Sequence, residues 1–145
     1  MRKEIALDRL PLALQARDTH RQAMNEILAK VGGEVYGFDH KFIPARRKRE
    51  LLHAYTTIHR LWKHENDRIE SLCEVIQREI AFPSPEELEA DVLGKRAINL
   101  DKLAKDLGEI RADYFTGANN DGEWNVRTRD LIDDLITRIN QENNH

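Results

Sequence analysis

From Leu51 onward the apolar positions recur at alternating steps of four and three. Leu51, Tyr55, Ile58, Trp62, Ile69, Leu72 and Ile76 keep this rhythm, and Glu65 holds the one charged place in the series. That period belongs to a long helix with one face against a partner helix. Pro44 stands where a first turn would begin, and Phe82-Pro83-Ser84-Pro85 stops the pattern. The spacing therefore predicts one helix over about 45–80, roughly 50 Å long. The positions beside the stripe are Leu52, His59, Asn66, Cys73 and Ile80 on one side, and Ala54, Leu61, Arg68 and Val75 on the other. Both ends are apolar on both flanks, so the helix is expected to touch more than one neighbour, as in a bundle.

The other elements are shorter. Residues 1–10 carry no decisive pattern, and Pro11 fits the first turn of a helix. Leu14, Ala16, Ala23, Met24, Ile27, Leu28 and Val31 continue that helix, and Gly32-Gly33 suits its end. Residues 34–43, EVYGFDHKFI, alternate loosely and read as a hairpin or an ordered loop. Ser84 and Pro85 read as cap and first position of a third helix, with Glu86 and Glu87 favourable near its positive end. Gly94 weakens that helix and Asn99 suits a new cap, so residues 85–115 are one helix or two. Leu100, Leu103, Leu107, Ile110 and Tyr114 form a further stripe. Residues 116–123, TGANNDGE, form a turn-rich loop, and Trp124 precedes a last helix bearing Leu131, Ile132, Leu135, Ile136 and Ile139. The tail from Gln141 is expected to fray. The fold expected is an all-α antiparallel bundle of four to five helices, one domain over 1–145, with the long helix at its centre.

The first helix has its own seam at Leu10, Ala13, Arg17, His20, Met24, Ile27 and Val31. Folding the two helices head to tail, with paired residue numbers summing to about 82, sets Met24 against Ile58, His20 against Trp62 and Arg17 against Glu65. An isolated buried charge is expensive, so a register that brings both interruptions into one polar layer is favoured. Val75, Ile76 and Ile80 then lie beyond the first helix. They need cover from the last helices or from a second copy, which leaves a homodimer open.

Composition narrows the classes. Charged residues make up 34% of the 145 residues, against 6% aromatics, as suits helices with wet outer faces. The formal net charge of −3 favours neither bulk nucleic-acid binding nor membrane attraction, so any basic site is local. Cys73 is the single cysteine, which precludes an intrachain disulfide and fits a reducing compartment. No signal-peptide core or membrane-length apolar run is present, and a cytoplasmic protein without a membrane partner is expected.

The strongest chemical feature is local basicity. Arg46, Arg47, Lys48 and Arg49 crowd the start of the long helix, just downstream of Tyr36, Phe38, His40, Lys41 and Phe42. Cations at a helix N-terminus are unfavourable by a few tenths to about 1 kcal/mol each. Such a cluster is an ordinary solvated face partly balanced by Glu50, a dock for an acidic protein, or a set of stacking and phosphate contacts for nucleic acid.

Other chemistry has less support. Ala104 and Gly108 have helix-turn-helix spacing, but Glu109 holds a place that usually wants an apolar residue, and a plain amphipathic helix explains the stripe as well. His53, His59 and His64 do not share a face and no HExxH occurs, so no metal is expected. The NNDGEW loop places Gly117 and Thr128 where a calcium loop needs carboxylates. Glu86-x-x-Glu89 and Asp130-x-x-Asp133 approximate the magnesium pairs of all-α nucleotide pyrophosphohydrolases, and both are easily solvated. Arg47 and His53 have the spacing of HEPN-type ribonucleases, but Lys48 replaces the residue that usually follows the arginine. No Gly-rich phosphate loop occurs, and no cofactor is implied.

The expectation is a small non-enzymatic interaction module that binds, and by binding regulates or inhibits, a protein partner. It would use a helical face or the segment containing Tyr36, Phe38, Lys41, Arg46, Arg47, Lys48 and Arg49. The alternative is a nucleic-acid-binding regulator using Arg46–Arg49, and the third option is the ribonuclease.

Overall fold

The computed structural model describes residues 2–30, 44–92, 94–120 and 122–143. Regular structure among them is helical throughout: α1 (Lys3–Lys30), α2 (Ala45–Ala81), α3 (Pro85–Val92), α4 (Lys95–Tyr114), a 3-10 turn at Gly117–Asn120, and α5 (Glu123–Asn143). The all-α class expected from the patterning is the class observed. Val31, Gly32-Gly33 and the hairpin or loop at 34–43 lie outside the described residues. The chain divides into two compact units, one of Met1–Pro11 with Ile69–His145 and the other of Leu12–Arg68.

Three element boundaries differ from the pattern. The first helix starts at Lys3, with Pro11 in its interior rather than at its opening. An interior proline lacks an N–H and costs about 3 kcal/mol relative to alanine. Burial offsets this, because Ala6, Leu10, Ala13 and Leu14 are wholly buried on either side of it. Asn99 lies inside α4 and does not cap it. The break falls at Gly94, which takes φ 76° and lets α4 begin at Lys95, so residues 85–115 hold two helices. The C-terminal helix persists through Asn143, whose side-chain amide donates to the Asp101 carboxylate on α4 at 2.6 Å.

In the larger unit the core is built from Ile69, Leu72, Cys73, Ile76 and Ile80 of α2, Leu100, Leu103 and Leu107 of α4, and Ile132, Leu135 and Ile139 of α5. Ile76 and Ile80, left uncovered in the two-helix picture, are therefore buried within a single copy. Polar groups fix the edges. Arg111 pairs with Asp133 at 2.5 Å between α4 and α5. Arg96 donates to the Ile80 carbonyl at 2.8 Å and so satisfies an orphan acceptor in the last turn of α2. Lys3 is buried, its backbone N–H held by Glu79 and its ammonium by Glu87. At α3 the Ser84 hydroxyl accepts from the Glu87 N–H at 3.3 Å, the cap read from the sequence. Glu86 is held below its ordinary carboxylate range, first by its own backbone N–H, then by the Ser84 hydroxyl, with help from the charge of Arg2. Its depressed value keeps Glu86 ionised beside the helix N-terminus until pH falls through that value.

In the smaller unit the α1 seam is visible as buried Ala13, Arg17, Met24 and Ile27, with His20 half-buried. Ile27 and Leu51 form a cluster against which Ala54, Tyr55 and Ile58 pack. At the polar level Arg17 donates to the Asn66 side-chain oxygen at 3.2 Å, and both residues are nearly inaccessible. Glu65, the partner expected for Arg17, is half-buried next door, with its Oε2 3.8 Å from Arg68. One residue along a helix is a turn of about 100°, and that turn brings the amide of Asn66 to the guanidinium.

The flanking leucines also depart from expectation. Leu52 and Leu61 are 46% and 47% exposed, so the outer half of α2 is not covered on both flanks in this unit.

A double-mutant cycle of Arg17→Met and Asn66→Leu, read by urea denaturation, is expected to show a coupling of about 1.5–3 kcal/mol. Coupling near zero would mean the pair does not define this layer.

Candidate functional site

The outer face of α2 is set by what its inner face buries. With Leu51, Tyr55, Ile58, Trp62 and Asn66 turned inward, the residues on the opposite side of the helix are Arg46, Arg49, His53, Thr56, Thr57, Arg60, Lys63 and His64, and all eight are exposed. They recur at the same three-and-four rhythm as the buried seam, half a turn away. The row from Arg46 to His64 is about 27 Å long at 1.5 Å per residue. The Thr56 and Thr57 hydroxyls fold back onto the Leu52 and His53 carbonyls, so the outward polar reach of the row is cationic. Leu52 borders it on one side and Leu61 on the other, about 120° from the midline or less by helical rotation.

The charge concentrates here. Residues 45–64 contain six Lys/Arg and one carboxylate, Glu50, a formal +5. The whole chain carries −3, so the remaining residues carry −8. Glu50 lies 3.5 Å from both Arg46 and Arg47, which draws those two arginines toward one turn. The first turn of α2 contains no acidic residue, so its cations stand against the helix dipole. Tyr55 stacks on His59 with ring centroids 6.2 Å apart, and the Trp62 ring lies tilted against His59 at 5.6 Å.

The residues expected to bind a partner do not all meet. Tyr36, Phe38 and Lys41 lie outside the described residues. Arg46 and Arg49 share the outer row. Arg47 and Lys48 fan around the helix, because successive residues are about 100° apart, and Lys48 is half-buried. The row also includes Arg60 and Lys63, which lie outside the contiguous basic run. Their signal in the sequence is a second period of polar residues in antiphase with the apolar one, which the contiguous run at 46–49 masks.

The residues of the other chemical patterns all lie on helices. Arg47 and His53 lie on one continuous helix, six residues and about 120° apart, and both are exposed. Gly108 sits inside the unbroken α4, which removes the turn that a helix-turn-helix needs. Glu86 and Glu89 are exposed, while Asp133 is engaged by Arg111. Among the described residues no group of three or more His, Cys, Asp or Glu is placed to hold a metal ion. Among the same residues no helix is long and apolar enough to cross a membrane.

The larger unit has a groove of about 200 Å³ bordered by Glu70, Cys73, Gln77, Arg127 and Asp134. Arg127 bridges to Glu70 at 2.8 Å and lies over the Trp124 ring at 5.4 Å. Burial, with a further contribution from the charge of Glu70, pushes the Cys73 thiol up to about 12. It is therefore a neutral thiol at pH 7 and a poor nucleophile.

No family model, no curated protein and no solved structure matches this chain.

Alkylation of Cys73 by iodoacetamide at pH 7.5 is expected to be slower in the native protein than in urea by on the order of a hundredfold or more, from the loss of thiolate. Equal rates would show that the thiol is neither buried nor shifted.

Proposed function

We propose that this chain is a small non-enzymatic interaction module that docks an acidic protein surface on the outer face of α2. The observation that carries this is the exposed row of Arg46, Arg49, Arg60 and Lys63 flanked by exposed Leu52 and Leu61. Cations set between apolar side chains suit a protein surface, where arginines are enriched among the anchoring residues and apolar neighbours exclude water around them. Phosphate backbones reward the cations and leave the leucines without a partner. The formal −8 on the other residues also opposes close approach of a long polyanion. By occupying the partner's surface the module would regulate or inhibit it. The single cysteine, a free thiol in the structure, supports a cytoplasmic location as part of the same reading.

The test is retention of proteins from nuclease-treated extract of the source cell on immobilised wild-type chain and on its R49E/R60E variant, at about 50 and 200 mM salt. The expected result is a defined set of proteins held by the wild type at the lower salt and lost from the variant. Retention unchanged in the variant overturns the assignment of this face. Retention seen only in a parallel extract left without nuclease, together with salt-sensitive gel shifts of a short duplex, transfers the site to nucleic acid.

A further inference from the structure

We propose that the acidic surface taken by the α2 row is the α3 segment of a second copy of this chain. The assignment rests on the docking role given to that row above and names its partner. From Phe82 to Gly94 the sequence holds four carboxylates and no Lys or Arg. Glu87 is occupied by the Lys3 ammonium, while Glu86 and Glu89 are exposed. Phe82 and Leu88 are 79% and 52% exposed, the first of them the most exposed large apolar side chain among the described residues. This segment is therefore the electrostatic and apolar complement of the outer α2 face: carboxylates with Phe and Leu against cations with Leu.

Spacing agrees with charge. Glu86 and Glu89 are three residues apart, a rise of about 4.5 Å, and so are Arg46 and Arg49, and Arg60 and Lys63. The eight residues of α3 span about 12 Å, less than half the cationic row. The contact is small, belongs to the weak class of interfaces, and loses affinity with salt. It joins two different surfaces, so it is heterologous: each copy offers one row and one acidic segment. Both surfaces are present at the same concentration wherever the chain accumulates, which an acidic partner of other origin does not guarantee.

A heterologous contact has a distinctive test. Sedimentation equilibrium is run at about 50 and 200 mM salt on the wild type, on R49E/R60E, on E86K/E89K and on an equimolar mixture of the two variants. The wild type is expected to exceed its 16.9 kDa mass at low salt as concentration rises into the hundreds of micromolar, and to return toward it at the higher salt. Each variant alone is expected to stay monomeric. Their mixture is expected to give a species of twice the monomer mass, because one variant keeps the acidic segment and the other keeps the row. The substituted positions are exposed, and far-UV circular dichroism checks the helices. E86Q/E89Q, which neutralises without reversal, is expected to weaken association at least tenfold if lysine at the start of α3 disrupts that helix.

A wild type that stays monomeric at low salt overturns the second-copy assignment. So does association that survives R49E/R60E, or a mixture that remains monomeric. None of these touches the docking role itself, which stands or falls on retention of extract proteins by the wild type against R49E/R60E.

Discussion

A guanidinium withdrawn from water must find an acceptor, and in this protein Arg17 finds the side-chain oxygen of Asn66. Much else in the smaller unit follows from that one bond. It fixes which side of α2 turns inward at that level, as the Ile27–Leu51 cluster does nearer the start of the helix. Once the inward side is set at two levels, helical rotation settles the rest. Arg49, Arg60 and Lys63 have nowhere to go but out. The cationic row is thus a consequence of how the buried layer is oriented, and not an independent feature of the surface.

Apolar periodicity was legible, and the bond between Arg17 and Asn66 was not. The bounds of α2 come from a stripe that runs without a slip between two proline-bearing stops, and Ala45–Ala81 lies within a residue of them. The class of the fold and the seam of α1 were equally readable. What failed depends on tertiary context. Pro11 reads as a helix start because its missing N–H is harmless there, and only buried neighbours on both sides reveal that the helix continues through it. Asn99 is a good cap by residue type, but the backbone breaks at Gly94, where a left-handed conformation is needed. Glu65 and Asn66 are adjacent in sequence, and a heptad pattern does not single out Asn66 as an acceptor for Arg17.

The candidate site divides the same way. Four consecutive cations form a cluster in the sequence, yet a helix spreads consecutive residues around its circumference. A row requires three-and-four spacing, and Arg46, Arg49, Arg60 and Lys63 have it. The segregation of charge, +5 in residues 45–64 against −8 elsewhere, is a property of the sequence alone. Under the proposed docking role its meaning depends on the exposure of Leu52 and Leu61, because a protein surface can use these side chains and a phosphate backbone cannot. Cys73 and Lys3 illustrate the contrary case. Both are chemically conspicuous residue types, and both are accounted for by burial and neighbouring carboxylates.

Gly94 carries a consequence of handedness. Its φ of 76° is unfavourable for an L-residue, yet a Cβ placed there would meet nothing within 4 Å. The constraint at this corner is torsional and not spatial. A D-alanine introduced by chemical synthesis favours that half of the backbone map and would fit the open space. It would also restrict the unfolded chain more than glycine does, so a mirror-image centre at this one position would tighten the corner between α3 and α4 where any ordinary substitution loosens it.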